Sequence, residues 1–178
     1  MRGAKDILLI LFLTFIWSCG TNEKALGIEE YDEPIFESKN VRIMITDSTV
    51  VKIIMSGGKQ LQLQNGDIEF PEGIKVTFYD KLGEKTSELT AQEGFKATED
   101  NFYRARGDVY VTNLKKKETL STEELFWNPE NHEIYTDKFV TIETEDQLIL
   151  AEGMRAPEDF STYKLVRPQD GILKIQEN

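Results

Sequence analysis

From about residue 41 to the C-terminus, the chain alternates apolar and polar residues in short runs separated by turn residues. A period of two residues is typical of β-strands with one buried face, and no segment shows the 3.6-residue period of an amphipathic helix. Asn65-Gly66 and Pro71-Glu72-Gly73 are typical turn sequences. The pattern therefore predicts a domain of antiparallel sheet, with its clearest strands at residues 41–45, 50–55, 61–64, 76–80, 109–113, 140–143 and 148–150.

A sequence repeat with an offset of about 31 residues runs through the middle of the chain. Leu89-Thr90-Ala91 returns as Leu120-Ser121-Thr122, and Val109-Tyr110-Val111 returns as Val140-Thr141-Ile142. Units of this size bury their apolar face only by stacking on copies of themselves. The repeat predicts an elongated stack of strands with an inner and an outer face.

The inner face of such a stack is the candidate binding site. Two facing sheets lie about 10 Å apart, and hydrocarbon chains fit between them where the inward side chains leave the space unfilled. A filled sandwich core without a ligand uses the same residue types, so the residues alone leave both interpretations open. The alternation assigns these residues to the inner face: Ile43, Ile45, Leu61, Leu63, Val76, Phe78, Val109, Val111, Val140, Ile142 and Leu150.

Two predicted strand regions carry few charges, although exposed sheet edges are usually protected by charges or prolines. Residues 50–55 contain one charge in six positions, and residues 172–175 contain one in four. We expect an N-terminal edge that includes residues 43–55, with Val51 and Ile53, to pair with a partner's strand. We expect a C-terminal edge with residues 148–150 and 163–166, including Tyr163 and Leu165, to do the same. Burial of these strands under the tether or a neighbour is the alternative.

The first 19 residues have the features of an export signal. Arg2 and Lys5 precede an apolar stretch at residues 7–17, which is shorter than the roughly 20 residues needed to cross a bilayer. The sequence Ile16-Trp17-Ser18-Cys19 resembles a bacterial lipobox, which implies that Cys19 is lipidated and becomes the first residue. A signal peptide cut elsewhere, leaving Cys19 as a free thiol, is the alternative. Residues 20–40 are polar and aperiodic, so we expect a flexible tether there and the folded domain at 41–178.

The net charge and the small number of histidine and cysteine residues narrow the classes of function that the chain can have. With 32 acidic and 21 basic side chains the net charge is −11, which disfavours nucleic acid as a partner and attraction to an anionic membrane surface. The single histidine, His132, lies in a predicted turn, and one Cys with one His cannot supply a zinc site. We therefore expect neither an enzyme nor a cofactor. A carboxylate pair across a cleft and calcium between Asp100 and Asp137 are the alternatives.

The order of motifs in the second half of the chain resembles the LptC family. Gly107-Asp108-Val109-Tyr110-Val111-Thr112-Asn113 is followed by Leu120-Ser121-Thr122, then by Leu125-Phe126-Trp127, and then by Ile134-Tyr135-Thr136. The likeness runs from about residue 41 to residue 165. It implies an open antiparallel β-jelly roll of the stacked-strand, OstA-like type that LptA and LptC share.

The resemblance also implies a function and partners. Members of this family are membrane-anchored periplasmic components of the lipopolysaccharide exporter. The chain would receive lipopolysaccharide from an inner-membrane ABC transporter with LptF/LptG-like subunits and pass it along an apolar slot to an LptA-like bridge protein. An extracytoplasmic scaffold or adhesion lipoprotein with a filled core and no lipid cargo is the alternative.

The anchor departs from the family pattern, because the best-known members have a transmembrane helix where this chain has Cys19. In enteric bacteria an inner-membrane lipoprotein usually has Asp after the modified cysteine, and here the residue is Gly20. We expect a periplasmic protein that is held at the outer leaflet of the inner membrane by its lipid anchor, with the outer membrane left open as an alternative.

Overall fold

The computed structural model describes residues 33–169 and 171–173, and this part of the chain contains strands and no helix. The predicted all-β class is confirmed. Residues 1–19, including Cys19, and residues 20–32 of the expected tether lie outside the described residues. The strands are β1 Phe36–Asp47, β2 Val50–Gln62, β3 Ile68–Phe70, β4 Ile74–Tyr79, β5 Lys85–Ala91, β6 Glu93–Ala97, β7 Phe102–Asn113, β8 Glu118–Asn128, β9 Glu133–Thr136, β10 Val140–Glu143, β11 Gln147–Pro157, β12 Lys164–Pro168 and β13 Ile172–Leu173.

The first strand begins at Phe36, five residues before the expected start of the domain. Residues 36–40 lack an alternating pattern, and all but Ser38 are exposed. They are extended because their backbone pairs with β2, in a register that places Phe36 opposite Gln62. Backbone hydrogen bonding, which the side-chain pattern does not reveal, therefore adds part of the expected tether to the sheet.

Four long strands divide the sheet into two layers. One half of β7 pairs with β5, where Ser87 lies opposite Asn113, and the other half pairs with β6, where Glu93 lies opposite Arg106. Strands β2, β8 and β11 are shared between shorter partners in the same way. We call the layer containing β4, β5 and β10 the first layer, and the layer containing β3, β6 and β9 the second layer.

All strand pairings are antiparallel, and the strands at the two ends of the sheet have fewer partner strands than those in the middle. Within the described residues β1 pairs only with β2, and β12 and β13 pair only with β11. The fold is therefore the open, LptC-type jelly roll that the resemblance implied. Among the described residues, no helix has the length and apolar character needed to span a membrane.

The long strands bend where they pass between layers, and β7 shows how. Gly107 and Asp108 have φ angles of 75° and 44°, and they form a bulge between the paired residues Arg106 and Val109. Such a bulge changes which residues face inward on the two sides of the bend. In β8 the inward residues are Leu120 and Thr122 before the bend, and Leu125 and Trp127 after it.

The repeat of about 31 residues has a direct structural meaning. Leu89 lies opposite Val111, and Leu120 lies opposite Ile142, so both copies contribute to one row of side chains across the first layer. The row is continuous through the cross-strand pairs. Its members are Ile43, Met55, Val76, Leu89, Val111, Leu120, Ile142 and Ile149.

Three residues expected on the inner face do not belong to it. Leu61 pairs with Glu37 and Glu69 on the outer face, because β2 has passed the bend and its inward parity has changed. Leu63 follows the end of β2 and is absent from the packed core. Leu150 lies opposite Thr141 in an outer row, while Ile149 packs against the core. The run Leu148-Ile149-Leu150-Ala151 has no alternation, so only the pairing partner decides which residues point inward.

The expected partner edges also need correction. Val51 and Ile53 lie in β2, which is covered by β1 on one side and by β4 on the other. Residues 148–150 lie in β11, which β10 and β13 cover. The outermost strand at the N-terminal end is β1. At the C-terminal end the outermost strands are β12, which contains Leu165 and follows Tyr163, and the two-residue β13.

Candidate functional site

The cleft between the layers is packed near the bends. Val109 is 1 % exposed and Val140 is 0 % exposed, and both belong to one cluster of buried side chains with Met154 from the second layer. Gly94 in β6 lies against Ile74 of the first layer, and a Cβ at Gly94 would be only 2.7 Å from the Ile74 Cδ1. The missing side chain lets the layers approach closely here. The two layers are therefore in direct contact at this end of the cleft.

The layers separate toward the other end of the strands, where a cavity of about 870 Å³ opens. We call this cavity the mouth. Ile45, Ile53 and Phe78 line it from the first layer, and Tyr103 and Trp127 line it from the second. A smaller cavity of about 40 Å³ lies deeper and shares Phe78, Tyr103 and Trp127 with the mouth. These three rings therefore separate an outer space from an apolar inner one.

The rim of the mouth is charged, and its charges are of both signs. Asp80, at the β4–β5 turn, accepts hydrogen bonds from the backbone N–H groups of Leu82 and Glu84 at 2.9 and 3.0 Å. Its Oδ2 lies 2.7 Å from the Lys115 Nζ. The hydrogen bond from Lys115 holds the pKa of Asp80 below its usual value, and Asp80 in turn raises the pKa of Lys115. The remaining charged residues of the rim are Asp47, Lys52, Lys81, Lys116, Glu158 and Asp159.

A polar contact joins two loops at the second-layer side of the mouth. The Trp127 Nε1 donates a hydrogen bond to Glu158 at 3.3 Å, and the His132 Nδ1 lies 3.2 Å from the other Glu158 oxygen. The Glu158 backbone N–H also bonds to the His132 carbonyl. The only histidine thus helps to fix the wall of the mouth, in the turn where the sequence placed it.

Phe160 is the residue of this region that the sequence did not single out. It lies in the β11–β12 loop among charged and hydroxyl residues, yet it is only 5 % exposed. Its ring meets that of Phe78 edge-on, with 5.8 Å between centroids, and its carbonyl accepts a hydrogen bond from the Asn113 Nδ2 at 2.9 Å. An aromatic residue between the charged Asp159 and the hydroxyl residue Ser161 was the one available signal.

The structure brings eight of the eleven predicted interior residues together, but it does not give them equal access. Ile45 and Phe78 line the mouth. The others pack within the cleft: Ile43, Val76, Val109, Val111, Val140 and Ile142. The alternation did not identify Tyr103 and Trp127 as residues of the binding wall, because neither lies in one of the strands that the pattern predicts most clearly.

The described residues give no support to the two alternatives that need polar groups, a carboxylate pair across a cleft and a calcium site. They contain no group of three or more His, Cys, Asp or Glu side chains placed to hold a metal ion. Asp137 lies 3.6 Å from Arg155, so its carboxylate has a cationic neighbour. The acidic residues at the mouth are likewise paired in part, as Asp80 is with Lys115. The walls of the mouth offer mainly apolar surface to a ligand.

The described residues form an open two-layer antiparallel sheet with an apolar cleft, and its outermost strands are paired on one side only. Residues 7–168 match the family described as "Lipopolysaccharide-assembly, LptC-related", and the chain belongs to this family. No curated protein matches the chain. Members of the family are non-enzymatic transport components, so the protein has a non-enzymatic role in lipopolysaccharide assembly and transport in the cell envelope.

Proposed function

We propose that the protein is a lipid conduit, in which acyl chains of lipopolysaccharide enter the mouth and are sheltered by the cleft. An acyl chain of a dozen methylenes costs on the order of 10 kcal/mol to expose to water, at about 0.8 kcal/mol per methylene. The apolar walls of the mouth remove this cost. Because apolar attraction has no preferred direction, the chains slide along the walls without a large barrier at each step.

The observation that carries this proposal is the mouth itself. An apolar opening of about 870 Å³ lies at one end of an interior whose side chains are otherwise packed. It is large enough for acyl chains, and its open side leaves sugars and phosphates in water. Ligand sites of this size, concave and mainly apolar, are typical of binding proteins.

We propose that the outermost strands β1 and β12 dock the neighbouring proteins of the export pathway. An unpaired strand edge offers a row of backbone donors and acceptors that a partner's strand can continue. β1 carries two exposed apolar side chains, Phe36 and Met44, which fits a partner surface there. In this proposal β1 pairs with the periplasmic sheet of the ABC transporter, and β12, with Leu165, pairs with the bridge protein.

Cysteine pairs engineered across each junction test the docking. Cross-links in cells that require β1 for the transporter and β12 for the bridge protein are the expected result. If no register gives a cross-link at either strand, the docking proposal is wrong.

We also propose that Cys19 is the lipid anchor and that it holds the protein at the outer leaflet of the inner membrane. The lipobox-like residues before Cys19 support this assignment. Mass spectrometry of the mature N-terminus decides it, since an acylated Cys19 has a diagnostic mass. An unmodified N-terminus at another residue would contradict the anchor but not the conduit.

Photo-crosslinking in cells tests the conduit directly. Ile45 and Met44 are neighbours in β1, but Ile45 lines the mouth and Met44 is 61 % exposed on the opposite face. A photoreactive amino acid at position 45 should give lipopolysaccharide adducts, and the same group at position 44 should give none. Equal labelling at the two positions would count against a specific cleft.

The packed end of the cleft favours the alternative of a scaffold or adhesion protein without lipid cargo. Val140, Ala151 and Met154 are completely buried there. Reactive groups at Val109 and Val140, compared with outward Tyr110 and Thr141, examine this end. Adducts at position 45 but not at 109 or 140 would place the lipid in the mouth alone, and no adducts at any inward position would favour the scaffold.

A further inference from the structure

The loop between β11 and β12 crosses from one layer to the other. β11 ends at Pro157 in the second layer, paired with β9. Three residues later, Phe160 contacts Phe78 and Asn113, which belong to β4 and β7 in the first layer. Glu158, Asp159 and Ser161, on either side of Phe160, line the mouth. We call residues 158–161 the lid.

Phe160 occupies a hollow in the first layer. Phe78 lies opposite Ser87, and Ser87 lies opposite Asn113, so the small Ser87 is the middle member of this row. Phe160 reaches both neighbours of Ser87, Phe78 through its ring and Asn113 through its backbone carbonyl, so the residue lies over the Ser87 position. An aromatic ring from the same chain is thus packed against Phe78, a residue that lines the mouth.

The closed position has two built-in costs. The Ser87 hydroxyl is completely buried and has no hydrogen-bond partner, which is unfavourable for a polar group. Phe160 has a φ angle of 54°, in the left-handed region that bulky residues rarely adopt. The burial of the Phe160 ring and the hydrogen bond from Asn113 offset these costs. Opening the lid removes both costs. The free-energy difference between the closed and open states is therefore smaller than burial of the Phe160 ring alone would give.

The lid also controls access to the inner space. Phe78 lines both the mouth and the deeper cavity, and Phe160 packs edge-on against the Phe78 ring. When Phe160 leaves, Phe78 loses the contact that restrains it on the mouth side. The two cavities would then be free to join.

We propose that residues 158–161 form a displaceable lid whose Phe160 side chain competes with the acyl chain for the mouth. This inference rests on the proposed conduit function, of which it describes the regulation. When a group of the protein itself occupies the site, the apparent association constant for the ligand equals the intrinsic constant multiplied by the fraction of molecules whose site is open. The protein would therefore hold lipid less tightly than its apolar walls allow, which suits a conduit that must release its cargo.

The test uses the purified full chain and cis-parinaric acid, a fatty acid that becomes fluorescent in apolar surroundings. Phe160→Ala removes the competing ring. Phe160→Gly removes it as well, and glycine adopts the φ angle of 54° without strain, so the loop backbone is kept. Each variant should raise the affinity about tenfold, as expected when a largely closed site becomes open. Phe139→Ala, at a site 48 % exposed and away from the mouth, should leave the affinity unchanged.

Hydrogen exchange gives a second readout on the unmodified sequence. The Phe160 N–H bonds to the Pro157 carbonyl at 2.9 Å in the closed loop. Saturation with the fatty acid should speed exchange at this amide, because the lid opens. Unchanged exchange with lipid bound would overturn the proposal, and this measurement decides the case if the variants do not fold.

The outcomes separate the lid from the conduit. Uptake by the unmodified protein with no gain in either folded variant overturns the lid and leaves the conduit standing. No uptake by the unmodified protein or by either variant contradicts the conduit, and the lid with it. A gain in Phe139→Ala equal to that in Phe160→Ala would also overturn the lid, since the effect would then be unspecific.

Discussion

Asp80 shows how one side chain fixes the rim of the mouth. It holds its own turn through Leu82 and Glu84, and it joins this turn to Lys115 at the β7–β8 turn. The pKa of Asp80 is lower in the folded protein than its ordinary value of 3.8. Its stabilising contribution is therefore complete above pH 3.8 and is lost as the pH falls through the lower folded pKa.

We predict that Asp80→Asn loses this acid-dependent contribution. The Tm difference between the unmodified protein and the variant should be constant near neutral pH and shrink as the pH falls below about 4, measured by thermal unfolding. Lys115→Gln should reproduce the effect, because it removes the main cause of the lowered pKa. A Tm difference that is independent of pH would contradict this account.

Gly94 is the residue that lets the two layers touch. Since a Cβ there would lie 2.7 Å from the Ile74 Cδ1, we predict that Gly94→Ala destabilises the protein by about 1–3 kcal/mol through overpacking. Urea unfolding measures the change. The matched control is Gly58→Ala, whose new Cβ would meet first the end of the flexible Glu72 side chain, at 3.3 Å. Similar losses in both variants would show that the closeness of the layers is not the cause.

At the level of the strands, the bulge in β7 determines which residues of the neighbouring strand β8 face inward. Gly107 has a φ angle of 75°, and a Cβ there would lie 2.8 Å from the Gln92 Oε1. Gly83, in the exposed β4–β5 turn, has a similar φ of 80°, but nothing lies within 4 Å of its added Cβ. Replacing either glycine by alanine would therefore strain the backbone in the same way. Only at Gly107 would the new Cβ also meet a neighbouring side chain.

We predict that Gly83→Ala costs about 1–2 kcal/mol through left-handed strain alone and that Gly107→Ala costs more. Chemical denaturation of both variants provides the comparison. If the two losses are equal, the contact with Gln92 contributes nothing to the cost.

At the level of the whole molecule, the separation of the layers determines what the interior can bind. A ligand that binds only the folded state at 100 times its dissociation constant stabilises it by about 2.7 kcal/mol. We predict that lipopolysaccharide raises the Tm by several degrees. Deacylated lipopolysaccharide, which keeps the sugars and phosphates, should have no effect. An equal shift with the deacylated form would place binding at the charged rim rather than in the apolar cleft.

A pair of variants of the unmodified chain sharpens this prediction. Ile45→Asp puts a charge into the apolar wall of the mouth, while Met44→Asp puts the same charge on the exposed outer face. Only the first should reduce the Tm shift with lipopolysaccharide, because only there does lipid binding desolvate the carboxylate.

How far the sequence predicted the interior depends on the bends. Before each bend, alternation assigned residues such as Val76, Val111 and Ile142 to the inner face, where the structure places them. After the bend in β2 it assigned Leu61 to the wrong face, because a local change of register exchanges the two faces. The same kind of change in β8 moves the inward face from Leu120 to Leu125 and Trp127. Tyr103 keeps the inward parity of Val109 and was missed because its half of β7 is not among the clearest predicted strands. Gly107 does have a sequence signal, because a glycine inside a strand pattern often marks a bulge, whereas nothing in the alternation indicates the positive φ angle of Asp108.

The amino-acid sequence determined the strand-rich class, the repeat that becomes one cross-strand row, the turns and the family, because these depend on local periodicity and on the order of motifs. Tertiary structure alone decided that β1 begins at Phe36, that β2 is covered on both sides, that the layers touch at Gly94 and separate at the mouth, and that Phe160 closes the space beside Phe78. Each of these depends on which distant segments pair or pack, and such contacts are fixed by the shape of the whole sheet.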